Sequence, residues 1–207
     1  MNGMIVVKGK LLSFIVTIAT GVAIRGATLI YTRGTSIPGT SDTFISAFTG
    51  MFLGIPNYFV LAVTVLALLS VVLKTTKFGR YLYAIGGNEI AARTVGINAD
   101  MLRVIAFMIA GALYALGGIV LAAQFDCGWP QAASGWEMDG IAASVIGGGS
   151  FFGGEGVPFG AIPGALALDL ITKFLVAKGI DPYWQYVFKG LLVVLVASAL
   201  TRGEYGR

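Results

Sequence analysis

The sequence predicts an all-α polytopic membrane protein, with about five full transmembrane helices and one short or half-spanning helix. Of its 207 residues, 57% are hydrophobic and only 12% are charged. A soluble domain carries about a quarter charged residues. A chain of this size cannot bury so much apolar surface away from water, so lipid must form part of its solvent.

Six apolar segments compete to cross the bilayer. A transmembrane helix needs about 20 apolar residues, with a range of roughly 17 to 25. Five segments have this length: 11–31, 57–73, 102–125, 159–177 and 184–200. The sixth, "DGIAASVIGGGSFF" at 139–152, is shorter and ends in glycine-rich chain. It predicts a half-helix or a short tilted helix, covered by protein or facing a water-filled cavity.

Basic residues in short loops predict which side of the membrane each loop faces. The segment between the second and third spans carries Lys74, Lys77, Arg80, Arg93 and Arg103. It is therefore predicted to be cytoplasmic. The 126–138 loop has acidic residues and no lysine or arginine, which predicts an external position.

Alternation of the spans then places the N-terminus, the "GGEGVP" connection at 153–158 and the C-terminus in the cytoplasm, and the 32–56 connection outside. Arg33 and Lys178 are exceptions to the charge rule, since both fall on the outer side. The 32–56 connection contains the apolar stretch "FISAFTGMFLGIP". Because this stretch is too short to span the bilayer, we expect it to lie on, or dip into, the outer surface.

The cytoplasmic loop, residues 74–101, contains a patterned sequence. "KTTKFGR" reads as a basic collar that ends the second span, and "YLYAIGG" as a short apolar lead ending in two glycines. Asn88 is a good N-cap, and Glu89 suits the positive end of a helix. "EIAARTV" can form about two turns before Gly96, a natural helix stop. The loop is thus predicted to hold a short capped helix with small side chains along one face.

Two interpretations of this short helix remain open from the residues alone. It could dock into a groove on another protein, because spans on both sides anchor it. It could equally be an inert connector that lies on the lipid headgroups.

Three stretches resemble one family, the permease subunits of carbohydrate ABC importers of the ribose, xylose and galactoside group. "FGRYLYAIGGNEIAARTVGIN" is similar to the cytoplasmic loop of these permeases. "ASGWEMDGIAASVIGGGSFFGGEGVPFGAIPGAL" resembles their acidic outer loop, "IAA" run and paired glycines, and "PYWQYVFKGLLVVLV" their closing span. The resemblance covers nearly the whole chain and implies a single transmembrane permease domain over residues 1–207.

The resemblance implies that the short helix is a coupling helix that enters a cleft on an ATPase subunit. The residues to which it assigns this role are Gly87, Asn88, Glu89, Ala91, Ala92, Arg93 and Gly96. The implied partners are an ATP-binding subunit, an extracytoplasmic solute-binding protein and a second permease subunit, in the plasma or inner membrane. The chain would bind no cofactor directly, since the partner ATPase uses the ATP, and would pass a sugar or similar small polar solute to the cytoplasm.

The sequence departs from the family pattern in two places. "MNGMIVVKGKLLSFIVTIAT" is similar to an internal family segment, so the chain is expected to correspond to the C-terminal two-thirds of a full permease, without the N-terminal spans. An inactive permease fragment is therefore one alternative. In addition, Val157 and Pro158 stand where the family usually has a glycine-serine pair, which leaves the geometry of this inner turn open.

A few polar residues are candidates for other roles. Asp169 lies in a predicted span, where a charge is costly and marks a functional candidate, but Lys173 is spaced to neutralise it on the same helix. The pair is either structural or a polar wall of the translocation path. Gln124 and Gln185 could line the same path or bond neighbouring helices. Glu137 and Asp139, in the outer loop, could contact a binding protein or simply be solvated.

Several other functions find no support in the sequence. No phosphate-cradling GxxxxGK[ST] motif occurs, and no basic stripe predicts a nucleic-acid partner. With no histidine and one cysteine, the sequence predicts neither a metal site nor an active-site cluster, so it does not predict an enzyme. A secondary transporter with broken helices remains an alternative, because "DGIAASVIGGG" suits that geometry. That mechanism does not require a docking helix.

The predicted topology can be checked by labelling single cysteines. Thr94→Cys and Ser134→Cys, each in a Cys127→Ser background, are expected to react with a membrane-impermeant maleimide from opposite sides of the membrane. Labelling of both from the same side would contradict the topology and the cytoplasmic position of the short helix.

Overall fold

The structure is a computed structural model that describes residues 1–39, 41–150 and 153–181, with positions 183, 184, 187, 188, 190 and 191. The helices of this part are α1 Asn2–Gly9, α2 Ser13–Thr32, α3 Asp42–Thr49, α4 Asn57–Thr75, α5 Lys77–Gly87, α6 Glu89–Thr94, α7 Ala99–Phe125, α8 Trp136–Ile146 and α9 Ala161–Ala177. Two-residue strands are β1 Ile37–Pro38, β2 Met51–Phe52, β3 Ile55–Pro56 and β4 Cys127–Gly128.

Among the described residues, four helical segments are long and apolar enough to cross a membrane. They are Ser13–Thr32, Asn57–Thr75, Ala99–Phe125 and Pro158–Ala177. Each coincides with a predicted span, which confirms the all-α polytopic fold class. At most 11% of the apolar stretch in any of them is buried within the chain. Their surfaces are therefore left to lipid or to other membrane proteins. The predicted last span, 184–200, lies mostly outside the described residues, as does Gln185.

The predicted short segment forms α8, which has 11 residues and ends before Gly147. At 1.5 Å per residue it is about 16 Å long, well short of the ~30 Å hydrocarbon core. The prediction that it does not make a full span is confirmed. Its start was predicted too late, because the chain becomes helical directly after Gly135, whose φ is +86°. Glu137 and Asp139 therefore lie in a helical first turn, where carboxylates suit the helix dipole, and not in a loop.

The chain divides into two compact units, of which unit 1 comprises Met1–Val65 and Val95–Ala132. In this unit α1 packs against α7. A Cβ on Gly3 would lie 3.0 Å from Val104 Cα, so the two backbones approach closely. β1 and β4 pair in an antiparallel ladder. The connections that follow α2 and α7 thus meet at one end, in agreement with the prediction that both are external.

The apolar stretch of the 32–56 connection forms α3 and the hairpin of β2 and β3. The Phe44 and Phe48 rings pack with centroids 5.2 Å apart. The Asn57 side-chain amide donates a hydrogen bond of 2.9 Å to the Ala47 carbonyl, which ties the start of α4 to the end of α3. Phe52 and Leu53, at the hairpin tip, are 63% and 88% exposed. Its place at the outer membrane surface stays a prediction.

Unit 2 comprises Leu66–Thr94 and Ala133–Arg207, and its helices α8 and α9 pack together through small residues. Ala142, Ala143 and Leu168 form its buried apolar cluster, with Ile146 packed against them. A Cβ on Gly164 would lie 2.8 Å from the carbonyl carbon of Ala143. Such contacts let helix backbones approach closely in lipid, where apolar burial from water gives no driving force.

The predicted division of residues 74–87 into a basic collar (74–80) and an apolar lead (81–87) missed that residues 77–87 form one helix, α5. Thr76 separates α5 from α4, and its hydroxyl accepts a hydrogen bond of 3.3 Å from the Gly79 amide. This N-cap, with the burial of Ile85 and Gly79, offsets the low helix propensity of the glycines. The single-domain prediction for residues 1–207 stays a prediction.

The α8–α9 contact generates a stability prediction. Gly164→Ala should lower the free energy of unfolding by about 1–3 kcal/mol, because the added methyl group meets backbone that cannot move aside. Gly140→Ala is the matched control, since a Cβ there meets nothing within 4 Å. Thermal unfolding in detergent is the measurement. Equal midpoints for the two variants would contradict close packing of α8 on α9.

Candidate functional site

The predicted short helix is present as α6, residues Glu89–Thr94. The Asn88 side-chain oxygen accepts a hydrogen bond of 3.0 Å from the Ala91 amide, which is the predicted N-cap. Glu89 and Arg93 form an ion pair of 2.9 Å along the helix. Gly96 has a φ of +85°, so the chain turns after α6 in a conformation that favours glycine.

The side chains of α6 point in two directions. Ala92 is only 4% exposed and lies on the side that packs inside the chain, where α6 contacts α5. Although Ala92 was assigned to the coupling surface, its side chain is not available there. Ile90 is 80% exposed and Val95 75% exposed. Ala91 and Arg93 are also exposed.

We call the exposed residues Ile90, Ala91 and Thr94 the α6 face. The expectation of small side chains on this surface missed the larger aliphatic side chain of Ile90. Helical periodicity indicates that Ile90 and Ala92 point in opposite directions, because residues two apart lie about 200° apart around a helix. If one of them faces the chain, the other faces away from it. Of the other residues assigned to coupling, Gly87 ends α5 and Asn88 joins the two helices, and both are exposed.

Helix α5 makes a second contact that the sequence did not predict. The Tyr83 hydroxyl donates a hydrogen bond of 2.7 Å to the carbonyl of Gly156, in the connection between α8 and α9. Gly86 faces Gly154 at the same place, and a Cβ on Gly154 would lie 2.7 Å from the Gly87 nitrogen. No local pattern could reveal this contact, because its partners are 73 residues apart in the chain.

The inner turn beyond this contact is defined by Val157 and Pro158. Val157 is extended and 50% exposed. Pro158 opens a 3-10 turn, Pro158–Gly160, which leads directly into α9. Proline is favourable there because a first helical residue needs no N–H donor.

Asp169 and Lys173 form an ion pair of 2.7 Å on α9, and both side chains are more than half exposed. The pairing is the one that the i,i+4 spacing predicted. Gln124 is exposed in the last turn of α7, which belongs to unit 1, whereas Asp169 belongs to unit 2. The roles of Asp169 and Gln124 in a translocation path stay predictions.

Residues 1–197 match the family described as "Branched-chain amino acid transport system / permease component". The chain belongs to this family. It is 38% identical over 202 residues to the ribose import permease protein RbsC of Haemophilus influenzae, covering 96% of this chain and 62% of the relative. It is 40% identical over 203 residues to RbsC of Bacillus subtilis, covering 97% and 63%. Identity to the galactose/methyl galactoside import permease protein MglC of Haemophilus influenzae is 34% over 205 residues, covering 95% and 61%.

The chain thus spans less than two thirds of the length of these permease relatives. No solved structure matches it. Membership of a family of permease components agrees with the four apolar helices and identifies a multi-pass membrane protein. Within the residues that the structure describes, no three His, Cys, Asp or Glu side chains are grouped as metal ligands would be. The contact of Glu137 and Asp139 with a binding protein stays a prediction.

Paired substitutions can separate the two interpretations of the α9 ion pair. Asp169→Asn or Lys173→Gln alone should lower the amount of protein in the membrane, because each leaves an unneutralised charge in a span. The double variant should return to the wild-type amount, as measured by immunoblot of isolated membranes. Solute uptake by the double variant then decides the role. Wild-type uptake means a structural pair, whereas lost uptake at a normal protein amount means a polar wall of the path.

Proposed function

We propose that this chain is the membrane-spanning subunit of an ATP-driven importer. It would pass a sugar or similar small polar solute from an external binding protein to the cytoplasm. The family and the names of the relatives support this proposal, since three of them are ribose or galactoside import permeases. The single structural observation that carries it is α6, a capped helix outside the apolar spans on which the aliphatic side chain of Ile90 is exposed.

The α6 face is suited to a partner protein. Ile90 is aliphatic and remains mostly exposed, although α6 lies between two spans and not within one. Exposed aliphatic surface beside polar residues is typical of interaction sites. The Glu89–Arg93 ion pair keeps both charged side chains on the helix surface, so they can lie at the edge of an apolar contact. An ATPase cleft with an apolar floor would bury the Ile90 side chain.

In this proposal the chain performs no covalent chemistry. The partner ATP-binding subunit hydrolyses ATP and displaces α6, and the spans alternate between an outward-open and an inward-open arrangement. A solute can shift such an equilibrium only by its differential affinity for the two states, so the direction of transport comes from the ATPase. A second permease subunit would complete the path.

The proposed location is the plasma or inner membrane, with the N-terminus, the 74–101 loop and the C-terminus in the cytoplasm. Two contacts support this topology. β1–β4 joins the two connections predicted to be external. The hydrogen bond from Tyr83 to Gly156 joins two connections predicted to be cytoplasmic. Each contact lies within one unit and requires its two connections to share a side.

A secondary transporter with broken helices is the second candidate, because α8 is too short to span and ends at glycine. Such a transporter would take up solute in response to an ion gradient without an ATPase. Copurification of an ATP-binding subunit with this chain, together with uptake that requires ATP, favours the importer.

The coupling role of α6 is tested by enlarging its exposed face. Ala91→Trp should block docking by overfilling the interface, so that ATPase copurification and solute-stimulated ATP turnover are both lost while membrane insertion is kept. Arg93→Glu should weaken docking through repulsion of Glu89, and Gly96→Val should strain the positive φ that ends the helix segment.

Ala84→Trp is the matched control, since Ala84 is exposed on α5 and lies outside the α6 face. It should leave both measurements at the wild-type level. An inert connector predicts little effect of Ala91→Trp, because an indole ring suits the headgroup region. Wild-type copurification and turnover in that variant would mean that α6 is not the coupling element.

A further inference from the structure

We propose that Tyr83 is a positioning residue that ties α6 to the α8–α9 hairpin, so that displacement of α6 is transmitted to the helices of unit 2. We call residues 153–156 the glycine turn. The inference rests on the proposed function, because it extends the coupling element from α6 to a defined point inside the same chain. All of its residues lie within unit 2.

The first step is the rigid connection of α6 to α5. Asn88 is the only residue between them, and it is bonded to both. Its amide donates a hydrogen bond of 3.0 Å to the Ala84 carbonyl of α5, and its side chain accepts one of 3.0 Å from the Ala91 amide of α6. Helix α6 also packs against α5, and Ala92 of α6 is buried. A force on α6 therefore reaches α5 without a flexible linker.

The second step is the contact of α5 with the glycine turn. The Tyr83 hydroxyl donates to the Gly156 carbonyl at 2.7 Å in a partly buried position. Beside this bond, Gly86 and Gly154 meet backbone to backbone, with no room for a Cβ on either. The φ of Gly154 is +82°, so a side chain there would be strained even without the contact. Tyr83 supplies a side-chain hydrogen bond across this interface.

The third step is the connection of the glycine turn to the hairpin. The Ser150 amide donates a hydrogen bond of 3.1 Å to the Glu155 carbonyl, which holds the start of the connection against the glycine turn. Gly147 and Gly160, at its two ends, approach too closely for side chains. Beyond them α8 and α9 share the buried cluster of Ala142, Ala143 and Leu168. A displacement of the turn must therefore move the ends of both helices.

A positioning role differs from a merely stabilising one in what its loss changes. Tyr83→Phe removes the hydroxyl and keeps the ring, so the fold and the amount of protein should be preserved. What should be lost is the fixed position of α6 relative to α8. Tyr81→Phe is the matched control, because Tyr81 lies on the same helix and is 40% exposed. Gly86→Ala should disturb the same contact but also lower the thermal midpoint, because its Cβ would meet the Gly154 backbone; Gly140→Ala is its control, since a Cβ there meets nothing within 4 Å.

The experiment measures distances between spin labels on Thr94→Cys in α6 and Ser144→Cys in α8, in a Cys127→Ser chain of full length in lipid nanodiscs. Wild type should give one narrow distance distribution. Tyr83→Phe should raise the population of a second distance about fivefold, as expected for the loss of one hydrogen bond of typical strength. Tyr81→Phe and Gly140→Ala should match wild type. A thermal midpoint of Tyr83→Phe within about 4 °C of wild type would show that its fold is intact.

The second measurement is solute uptake by the assembled importer. Tyr83→Phe should lower the maximal uptake rate about fivefold, while ATPase copurification and the half-saturating solute concentration stay at wild-type values. An unchanged distance distribution in Tyr83→Phe overturns the inference, and so does a changed distribution with normal uptake. If no ATPase copurifies with the wild-type chain, the proposed function fails. The distance measurement then still decides whether Tyr83 fixes α6 against the hairpin.

Discussion

The structure depends on one constraint, which is that a peptide group inside hydrocarbon has no water to bond. Each apolar segment must therefore hydrogen-bond its backbone N–H and C=O groups within itself, and only a continuous helix does so. The four spanning segments obey this rule while burying almost none of their side chains within the chain. Where helices do meet, as Gly3 of α1 meets α7 and Gly164 of α9 meets α8, backbones approach directly. Packing of small residues thus takes over the role that apolar burial has in water.

The polar parts of the chain are organised around the same constraint. Asp169 and Lys173 neutralise each other on one helix, so the span carries no net charge at that level. Lys77, Arg80, Glu89 and Arg93 lie between α4 and α7, on the helices α5 and α6, which form outside the spans. This separation leaves a capped helix with its own exposed surface. A partner can contact it without entering the bilayer, which is the property that the proposed coupling role requires.

The sequence predicted the spans well because their length and apolar content are determined by the bilayer and not by neighbours. It also predicted α6, since the cap at Asn88, the acidic first turn and the stop at Gly96 act locally. Helix α5 was missed because its glycines have low helix propensity, and its stability comes from burial of Ile85 and from the Thr76 cap. The contact of Tyr83 with Gly156 depends on residues distant in sequence, so it could not be predicted without the fold.

The meeting of Gly86 with Gly154 has a mechanical consequence. Two backbone surfaces without side chains resist compression strongly but have no side chains that interlock against sliding. The hydrogen bond from Tyr83 to Gly156, beside them, is an interaction that opposes such sliding. A push into the contact is therefore transmitted by the main chain, whereas a movement along it depends on a single hydroxyl group. An interface of interdigitated leucines would have to break many dispersion contacts before it moved at all.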